Sequence, residues 1–342
     1  AQVRTVPRQV PAAVAGSGQL VTSGREWLMA EGFEPVYLAL HRSGELRRRV
    51  TEAYEHLREC DLCARECGIN RRRGEVGSCH TGERAVVCSY HAHFGEEDPL
   101  VGTHGSGTIF FSWCNLKCQY CQNYDISQMG TGREVEPEAL AAMMLELQAE
   151  GCHNINFVSP SHVVAQILAG VLIAAEAGLR LPLVYNTGGY DSMAALRLLD
   201  GVVDIYMPDM KYADEAVARK YSKVKDYPAA NQEAVKEMHR QVGDLVLDER
   251  GIALRGLLVR HLVLPNGLAG TAEIACFLAE EVSKATYINI MAQYRPCYRA
   301  NGYPELNRRI TQAEHEEAVE AARAAGLYRF DERRARLFWL RR

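Results

Sequence analysis

The sequence lacks several features that would each define a class of protein. No apolar run reaches the roughly 20 residues that a membrane-spanning helix requires. The opening residues contain no long apolar core of the kind found in a secretory signal. The chain also lacks a basic excess, since its formal net charge is −4. We therefore expect a cytoplasmic protein whose partners are neither a membrane nor a nucleic acid.

Cysteine is abundant and clustered. The chain has 11 cysteines among 342 residues, and seven of them fall into two short stretches. Clustered thiols in a chain of this size are typical of metal binding in a reducing compartment and not of a disulfide framework. The length and the apolar content of 47% suit one barrel-type domain with an appendage.

The first cysteine motif is a tight loop that follows a short apolar run. Cys114, Cys118 and Cys121 have the spacing C-x3-C-x2-C. Three thiolates can hold three corners of a [4Fe-4S] cubane, which leaves one iron open to a ligand from outside the protein. Zinc sites usually come as CxxC pairs that together close a tetrahedron, so zinc fits this spacing poorly. The remaining alternative is three core cysteines placed together by coincidence.

The second cysteine motif lies upstream and is a complete set of four. Cys60, Cys63, Cys67 and Cys79 have the spacing C-x2-C-x3-C-x11-C. Four thiolates close a tetrahedral zinc site or saturate an auxiliary [4Fe-4S] cluster, and the spacing does not decide between them. Buried free thiols are the alternative to a metal site.

From Thr103 onward the chain alternates between strand and helix patterns. Six apolar β segments are separated by helical segments, one from Pro137 to Gly151 and another covering Glu215 to Val242. Such an alternation predicts a parallel sheet with right-handed crossovers. Periodicity alone leaves open a partial (β/α)6 barrel or a flatter doubly wound sheet.

Four segments follow from these patterns. We predict an N-terminal arm and helix over residues 1–58, a four-cysteine metal-binding extension over 59–102, the barrel over 103–300 and a C-terminal helical tail over 301–342. The first helix is predicted from apolar spacing at Trp27, Leu28, Phe33, Tyr37, Leu38 and Leu40. The tail combines a helix from about Thr311 to Ala325 with the closing stretch 336–342.

Polar side chains follow the predicted strands at their carboxyl ends, where parallel barrels place their working residues. These candidates are Ser159 and His162, Asn186 and Thr187, Asp209 and Lys211, and Gln293 and Tyr294, with Arg260 inside the fifth strand. The alternative is that Asp209 and Lys211 only pair with each other, and that Arg260 only balances a nearby carboxylate.

The cysteine loop and these strand ends resemble the radical S-adenosylmethionine (SAM) enzymes, specifically homologues of pyruvate formate-lyase activating enzyme. The resemblance spans about Thr103 to Pro296 and implies a partial (β/α)6 radical SAM barrel. It implies that the cysteine loop binds a [4Fe-4S] cluster whose fourth iron is chelated by SAM. Residues that would contact SAM or its surroundings are Tyr120, Ser159, Asn186, Thr187, Met207, Asp209, Lys211, Arg260, Gln293 and Tyr294.

Several positions depart from the family pattern and indicate a divergent subgroup. Asn186 stands where the family has Asp, which affects the expected site for a monovalent cation. The Gly-Gly-Glu motif is replaced by the stretch from Ser159 to His162, and Trp113 replaces a glycine. Gln293 and Tyr294 stand where the family has a histidine after the sixth strand.

The resemblance implies a reductive cleavage of SAM to methionine and a 5′-deoxyadenosyl radical. The electron would come from a donor such as flavodoxin or ferredoxin. The target would be a backbone glycine of a partner enzyme, with another peptide, protein or small molecule as the alternative. A non-catalytic iron-sulfur or zinc protein, acting as an electron carrier or scaffold, is the alternative of another class. The open iron beside Cys114 favours the enzyme, since carriers generally saturate their irons.

Overall fold

The structure is a computed structural model that describes residues 4–5 and 33–331. The strands are β1 (Arg4–Thr5), β2 (Ala85–His93), β3 (Ser106–Phe111), β4 (Arg133–Val135), β5 (Ile155–Val158), β6 (Leu183–Thr187), β7 (Ile205–Pro208), β8 (Val246–Leu247), β9 (Ala253–Leu262), β10 (Tyr287–Met291) and β11 (Arg329–Phe330). They form one mixed sheet.

The helices lie between these strands and ahead of them. They are α1 (Tyr37–Ser43), α2 (Glu45–His56), α3 (Asp98–Val101), α4 (Tyr124–Ser127), α5 (Pro137–Ala149), α6 (Val164–Glu176), α7 (Met193–Leu199), α8 (Glu215–Ser222), α9 (Tyr227–Val242), α10 (Thr271–Phe277) and α11 (Gln312–Ala324).

The six predicted parallel strands are all present, and the predicted fold class is confirmed. They are β3, β5, β6, β7, β9 and β10, each hydrogen-bonded in parallel to the next. Their order in the sheet follows their order in the chain, whereas a doubly wound sheet reverses direction at a switch point. The sheet ends in open edges and is not closed, so it is a partial barrel.

One long antiparallel strand was missed by the sequence patterns. β2 pairs antiparallel with β3, from Val87 opposite Phe111 to His93 opposite Ser106, with a register shift between Val87 and Ser89. It also pairs with the short strands β1 and β4. Its sequence contains His91, His93 and Cys88. The sheet therefore extends beyond the first barrel strand into the preceding segment.

The region from Glu215 to Val242 was predicted as one helical stretch and consists of two helices. Lys223 and Asp226 between α8 and α9 have φ of 55° and 51°, in the left-handed region, which ends a right-handed helix. Gly44 separates α1 from α2 in the same way, with φ of 79°. Among the described residues α1 begins at Tyr37, so Phe33 of the apolar pattern lies ahead of it.

The tail helix predicted from about Thr311 to Ala325 is confirmed as α11. The Thr311 side chain caps Glu314 N–H while the Glu314 carboxylate accepts from Thr311 N–H, a reciprocal capping box. Trp27, Leu28 and the stretch 336–342 lie outside the described residues. None of the helices described in 33–331 has the length and apolar character needed to cross a bilayer.

The N-terminal helices are attached to the sheet through a buried carboxylate. Asp204 accepts from Val36 N–H, just before α1, and from Leu183 N–H at the start of β6, each at 3.0 Å. The residue is fully buried. Burial raises the pKa of Asp204 to about 7, although the two N–H donors oppose the rise.

This carboxylate predicts a pH dependence of stability. The folded protein retains a proton on Asp204 that the unfolded chain releases above about pH 4. The contribution of Asp204 to the free energy of unfolding therefore falls as the pH rises from about 4 to about 7. We expect the difference in free energy of unfolding between wild type and Asp204→Asn to change by on the order of 1 kcal/mol per pH unit in that range. Urea unfolding of both proteins across this pH range measures the difference. Asp200→Asn, at a surface ion pair with Arg240, is the control, and parallel pH profiles for wild type and Asp204→Asn would refute the assignment.

Candidate active site

The cysteine loop leaves the carboxyl end of β3 and is held against α8. Lys117 N–H donates to the Ser222 carbonyl at 2.9 Å, and Gln119 N–H donates to the Tyr221 carbonyl at 2.7 Å. The backbone of the loop is therefore fixed on both sides of Cys118. The three thiols need no long-range folding event to meet, because one short loop carries all of them.

Each of the three thiols has a polar partner close to its sulfur. These pairs are Cys114 Sγ with Leu116 N–H at 3.4 Å, Cys118 Sγ with Ser222 Oγ at 3.0 Å, and Cys121 Sγ with Ser127 Oγ at 3.0 Å. Hydrogen-bond donors near sulfur stabilise the thiolate form and tune a bound cluster. Ser127 and Ser222 were not identified from the sequence.

Burial and repulsion from a neighbouring thiol disfavour the thiolate forms of Cys114 and Cys121 in the absence of a cation. Burial raises the pKa of Cys114 to about 12 and of Cys121 to about 11, and the neighbouring Cys118 adds to both shifts. A bound metal centre reverses this effect, because it supplies the positive charge that thiolates need. The chemistry of the donor set thus fits an iron-sulfur cluster.

A hydrogen-bonded chain of hydroxyls runs behind the loop. Tyr120 OH lies 2.6 Å from Tyr212 OH, which lies 2.7 Å from Ser222 Oγ, the partner of Cys118. The Tyr120 ring also meets the Tyr294 ring edge to face, with centroids 5.7 Å apart. Tyr120 and Tyr294, both predicted near SAM, therefore belong to one buried aromatic cluster.

Three charged residues form a buried ion cluster at the strand ends. Lys211 Nζ lies 2.5 Å from one Asp209 oxygen, and Arg260 donates to the other at 2.8 Å. Burial opposes ionisation, but the charges of Arg260 and Lys211 hold the pKa of Asp209 below its usual value. Lys211 also lies within electrostatic reach of Cys118 and Cys121. The ion cluster therefore faces the cysteine loop, and contact with SAM remains a prediction.

Four other candidates lie on parallel strands or just after them and have different surroundings. Met207 is fully buried in the inner wall of the barrel. Thr187 Oγ1 donates to the Asp191 carboxylate at 2.6 Å. Ser159 is half-buried, and its backbone has φ of 59°. Gln293 is exposed, and its carbonyl accepts from the side chain of residue 122 in the cysteine loop.

Asn186 is joined to a carboxylate that the sequence did not reveal as part of the site. Its amide donates to Glu96 Oε2 at 3.4 Å, and Arg260 Nη1 lies 3.5 Å from the same oxygen. Asn289 in β10 donates to the neighbouring Glu97 at 2.9 Å. The acidic pair lies in a loop far from any motif, so the loop itself gave no signal. The sequence could have indicated these contacts only through the polar residues at inward positions of otherwise apolar strands.

The four upstream cysteines surround one small cavity. Its lining consists of Cys60, Leu62, Cys63, Arg65, Cys67, Arg71, Ser78, Cys79 and His162. Burial raises the pKa of Cys63 to about 12, and the other three thiols add to the shift. Four thiols around one space suit a thiophilic metal. Across residues 33–331, however, no three histidine, cysteine or acidic side chains are arranged around a common point for one metal ion.

Arg71 joins this cavity to the barrel. It is fully buried, and its guanidinium donates to the Gly82 carbonyl at 2.9 Å and to the His162 carbonyl at 2.8 Å, with Cys60 Sγ 3.7 Å away. His162 Nε2 in turn lies 3.0 Å from the Ser112 carbonyl at the base of the cysteine loop. Burial lowers the pKa of His162 to about 3, and Arg71 lowers it further, so the imidazole is neutral.

A second link runs from the extension to the cysteine loop directly. Arg65 Nε donates to the Asn115 carbonyl at 2.5 Å, beside Cys114. The Asn115 amide donates to the Tyr190 carbonyl at 2.7 Å, which also accepts from Ala64 N–H at 3.3 Å. The two cysteine sets therefore share contacts through adjacent residues.

Comparison with known proteins defines the class. The model of the radical SAM superfamily matches residues 108–249. The chain is 33% identical over 281 residues to uncharacterized protein MJ0674 of Methanocaldococcus jannaschii, covering 80% of this chain and 77% of the relative. It is 22% identical over 268 residues to uncharacterized protein MJ0808 of the same organism, covering 72% and 73%.

Solved structures with a related arrangement include Streptococcus suis SuiB bound to precursor peptide SuiA, at 11% identity and a TM-score of 0.44, covering 64% of this chain and 46% of SuiB. Another is a radical SAM methyltransferase from Sphaerobacter thermophilus, at 14% identity and a TM-score of 0.43, covering 65% and 66%. The chain thus spans less than half of SuiB and just under two thirds of the methyltransferase.

The chain belongs to the radical SAM superfamily. It is therefore an enzyme of radical chemistry that uses a [4Fe-4S] cluster and SAM and takes electrons from a reductant.

The buried guanidinium between the extension and the barrel gives a prediction. Replacing Arg71 with Met leaves two buried carbonyls without donors, so we expect a loss of about 2 to 4 kcal/mol in the free energy of unfolding. Denaturant unfolding measures the loss. Arg72→Met is the matched control, since its side chain makes surface ion pairs with Glu55 and Glu83 and should cost at most about 1 kcal/mol. Equal stability of the two variants would contradict the bridging role.

Proposed function

We propose that this protein is a cytoplasmic radical SAM enzyme in which Cys114, Cys118 and Cys121 hold the [4Fe-4S] cluster. The observation that carries the proposal is the position of three thiols on one loop at the carboxyl end of the first parallel strand, facing the ion cluster of Asp209, Lys211 and Arg260. The cluster supplies, when bound, an open iron and an electron for the cleavage of SAM.

The protein's own residues would bind and orient SAM beside the loop. Asp209 offers a carboxylate, and Lys211 and Arg260 offer charged donors at the mouth of the barrel. The remaining proposed contacts come from the cysteine loop and the neighbouring strand ends. They are Asn186, Thr187, Ser159, Met207, Tyr120, Gln293 and Tyr294. Because Lys211 already balances Asp209 among the described residues, the proposal does not require the predicted monovalent cation.

The substrate is proposed from the family resemblance. A backbone glycine of a partner enzyme would enter the mouth as an extended segment, and another peptide or small molecule is the alternative. A one-electron donor such as flavodoxin or ferredoxin would approach from outside the loop. Burial of the surrounding side chains excludes water and stray hydrogen donors, which a radical reaction requires.

We further propose that Cys60, Cys63, Cys67 and Cys79 bind a second metal, either zinc or an auxiliary [4Fe-4S] cluster. The shared cavity and the mutual electrostatic effect of the thiols support a common site. A site with four protein thiolates has no open position for SAM. Its proposed role is to fold the extension onto the barrel, where Arg71 and Arg65 connect it to the cysteine loop.

The cluster assignment is tested by replacing Cys114, Cys118 and Cys121 together with Ala. We expect the absorbance of the barrel cluster to disappear and the production of 5′-deoxyadenosine from SAM and dithionite to fall to background in anaerobically reconstituted protein. The control replaces Cys88 and Cys276, which lie outside both motifs, and should keep both signals. Undiminished 5′-deoxyadenosine from the triple variant would sink the proposal, and its absence from the wild type would favour an electron carrier.

The second site is tested in the same triple variant, where it is the remaining cysteine motif. We expect the purified protein to retain metal, about one zinc for a structural site or about four irons for an auxiliary cluster, as measured by elemental analysis. Replacing Cys60 and Cys63 with Ala in the otherwise intact chain should lower thermal stability before it lowers SAM cleavage. If the triple variant holds neither metal, the four-cysteine site does not exist.

A further inference from the structure

The interior of the barrel carries a polar layer below the cysteine loop. On β5, Phe157 packs in the outer core, so its neighbour Asn156 points inward. Asn156 pairs in register with Val184, which lies in the separate inner cluster with Leu100 and Leu258. The same alternation directs Asn186, Arg260 and Asn289 inward from three other strands.

Two adjacent acids enter this layer from the opposite end of the barrel. Glu96 and Glu97 immediately precede α3, whose Leu100 belongs to the inner cluster. Glu96 reaches Asn186 on β6 and Arg260 on β9, and Glu97 reaches Asn289 on β10. The loop between β2 and β3 therefore projects both carboxylates into the barrel.

The layer contains buried polar atoms that no described residue satisfies. Asn156 is completely buried, and neither its amide oxygen nor its amide nitrogen has a hydrogen-bonding partner. Glu97 is 4% exposed, and its Oε2 has no partner either. A buried polar group left unpaired costs about 1 to 3 kcal/mol, and a charged one costs more. These atoms point to a ligand that completes their hydrogen bonds.

The charges around the layer indicate the sign of that ligand. Among the described residues, Lys211 and Arg260 both pair with Asp209, and Arg260 also reaches Glu96. Glu97 has no ion pair of its own in residues 33–331, and its one bonded oxygen accepts from a neutral amide. Glu97 is thus a buried carboxylate without an ion pair among those residues, and a positive charge would balance it.

The exposure of the polar side chains decreases from the strand ends inward. The side chains of Arg260, Lys211, Asp209 and Glu96 are 18%, 16%, 12% and 9% exposed despite their position inside the barrel. Exposure declines towards Glu97 and Asn156, as expected for a recess that narrows from the mouth inward. A ligand reaching Glu97 from above would pass the ion cluster and the cysteine loop.

We infer that this recess binds a primary ammonium group of the substrate, with Glu97 as the anionic acceptor and Asn156 as an orienting amide. The inference rests on the proposed function, because a substrate held there would lie below SAM and the cluster. It deepens that function by assigning the substrate a class: a small amine, or a peptide that presents a lysine side chain. Glu97 and Asn156 act as binding residues and take no part in SAM cleavage.

The test is a binding measurement on reconstituted protein saturated with SAM, because SAM carries a primary ammonium of its own. Calorimetric titration uses n-butylammonium as the small amine, acetyl-lysine amide as the peptide-like amine and n-butanol as the neutral analogue. We expect n-butylammonium to bind at least about tenfold more tightly than n-butanol, and Glu97→Gln to weaken it by about tenfold or more. Binding of acetyl-lysine amide as well would identify the peptide class.

Two further variants keep the result interpretable. Glu280→Gln, at an exposed position, should leave the affinity unchanged. Asn156→Leu removes the unpartnered amide at similar volume, so it should preserve or raise thermal stability while weakening n-butylammonium binding. The inference is overturned if the wild type binds n-butylammonium no better than n-butanol, if n-butylammonium only displaces SAM, or if neither Glu97→Gln nor Asn156→Leu changes the affinity. SAM cleavage, assayed on the same preparations, reports separately on the proposed function.

Discussion

The need to balance the buried charge of Asp209 organises the mouth of the barrel. Its carboxylate draws Arg260 from β9 and Lys211 from the turn after β7, and its backbone carbonyl accepts from the Tyr227 hydroxyl and the Asn231 amide of α9. A lone carboxylate at this depth would be protonated, whereas two cations keep it ionised. The strand β9, the turn after β7 and the helix α9 therefore meet at Asp209, beside the cysteine loop. This arrangement fixes the position of the charged groups at the mouth of the barrel.

The two cysteine motifs form a single structural unit although 34 residues separate Cys79 from Cys114 in the sequence. Arg71 spans from the upstream cavity to the His162 carbonyl, and the neutral His162 ring reaches the base of the cysteine loop. Because these contacts are buried and directional, a change at one motif displaces groups that hold the other. Folding of the extension thus bears on the geometry of the loop.

Local patterns predicted most of the parallel sheet, because a buried strand between helices leaves a strong signal in a sequence. The break at Lys223 and Asp226 was missed, since left-handed backbone at non-glycine residues has no simple signature. The loop cysteines were found because chemistry fixes their spacing. Ser222, the hydroxyl partner of Cys118, comes from 104 residues downstream, and only the tertiary fold brings it there. Most of the proposed SAM contacts were identified as strand ends, while their hydrogen-bonding partners were not.

The amide at position 186 has a physical reason in the fold. The Asn186 amide donates to Glu96, which also lies beside Arg260. An Asp at position 186 would place two carboxylates within hydrogen-bonding distance, and like charges at that separation do not both stay ionised. The Asn186 amide thus supplies the neutral donor that Glu96, from the loop between β2 and β3, requires. At this point in the barrel Glu96 supplies the carboxylate, and Asn186 on the strand supplies the donor.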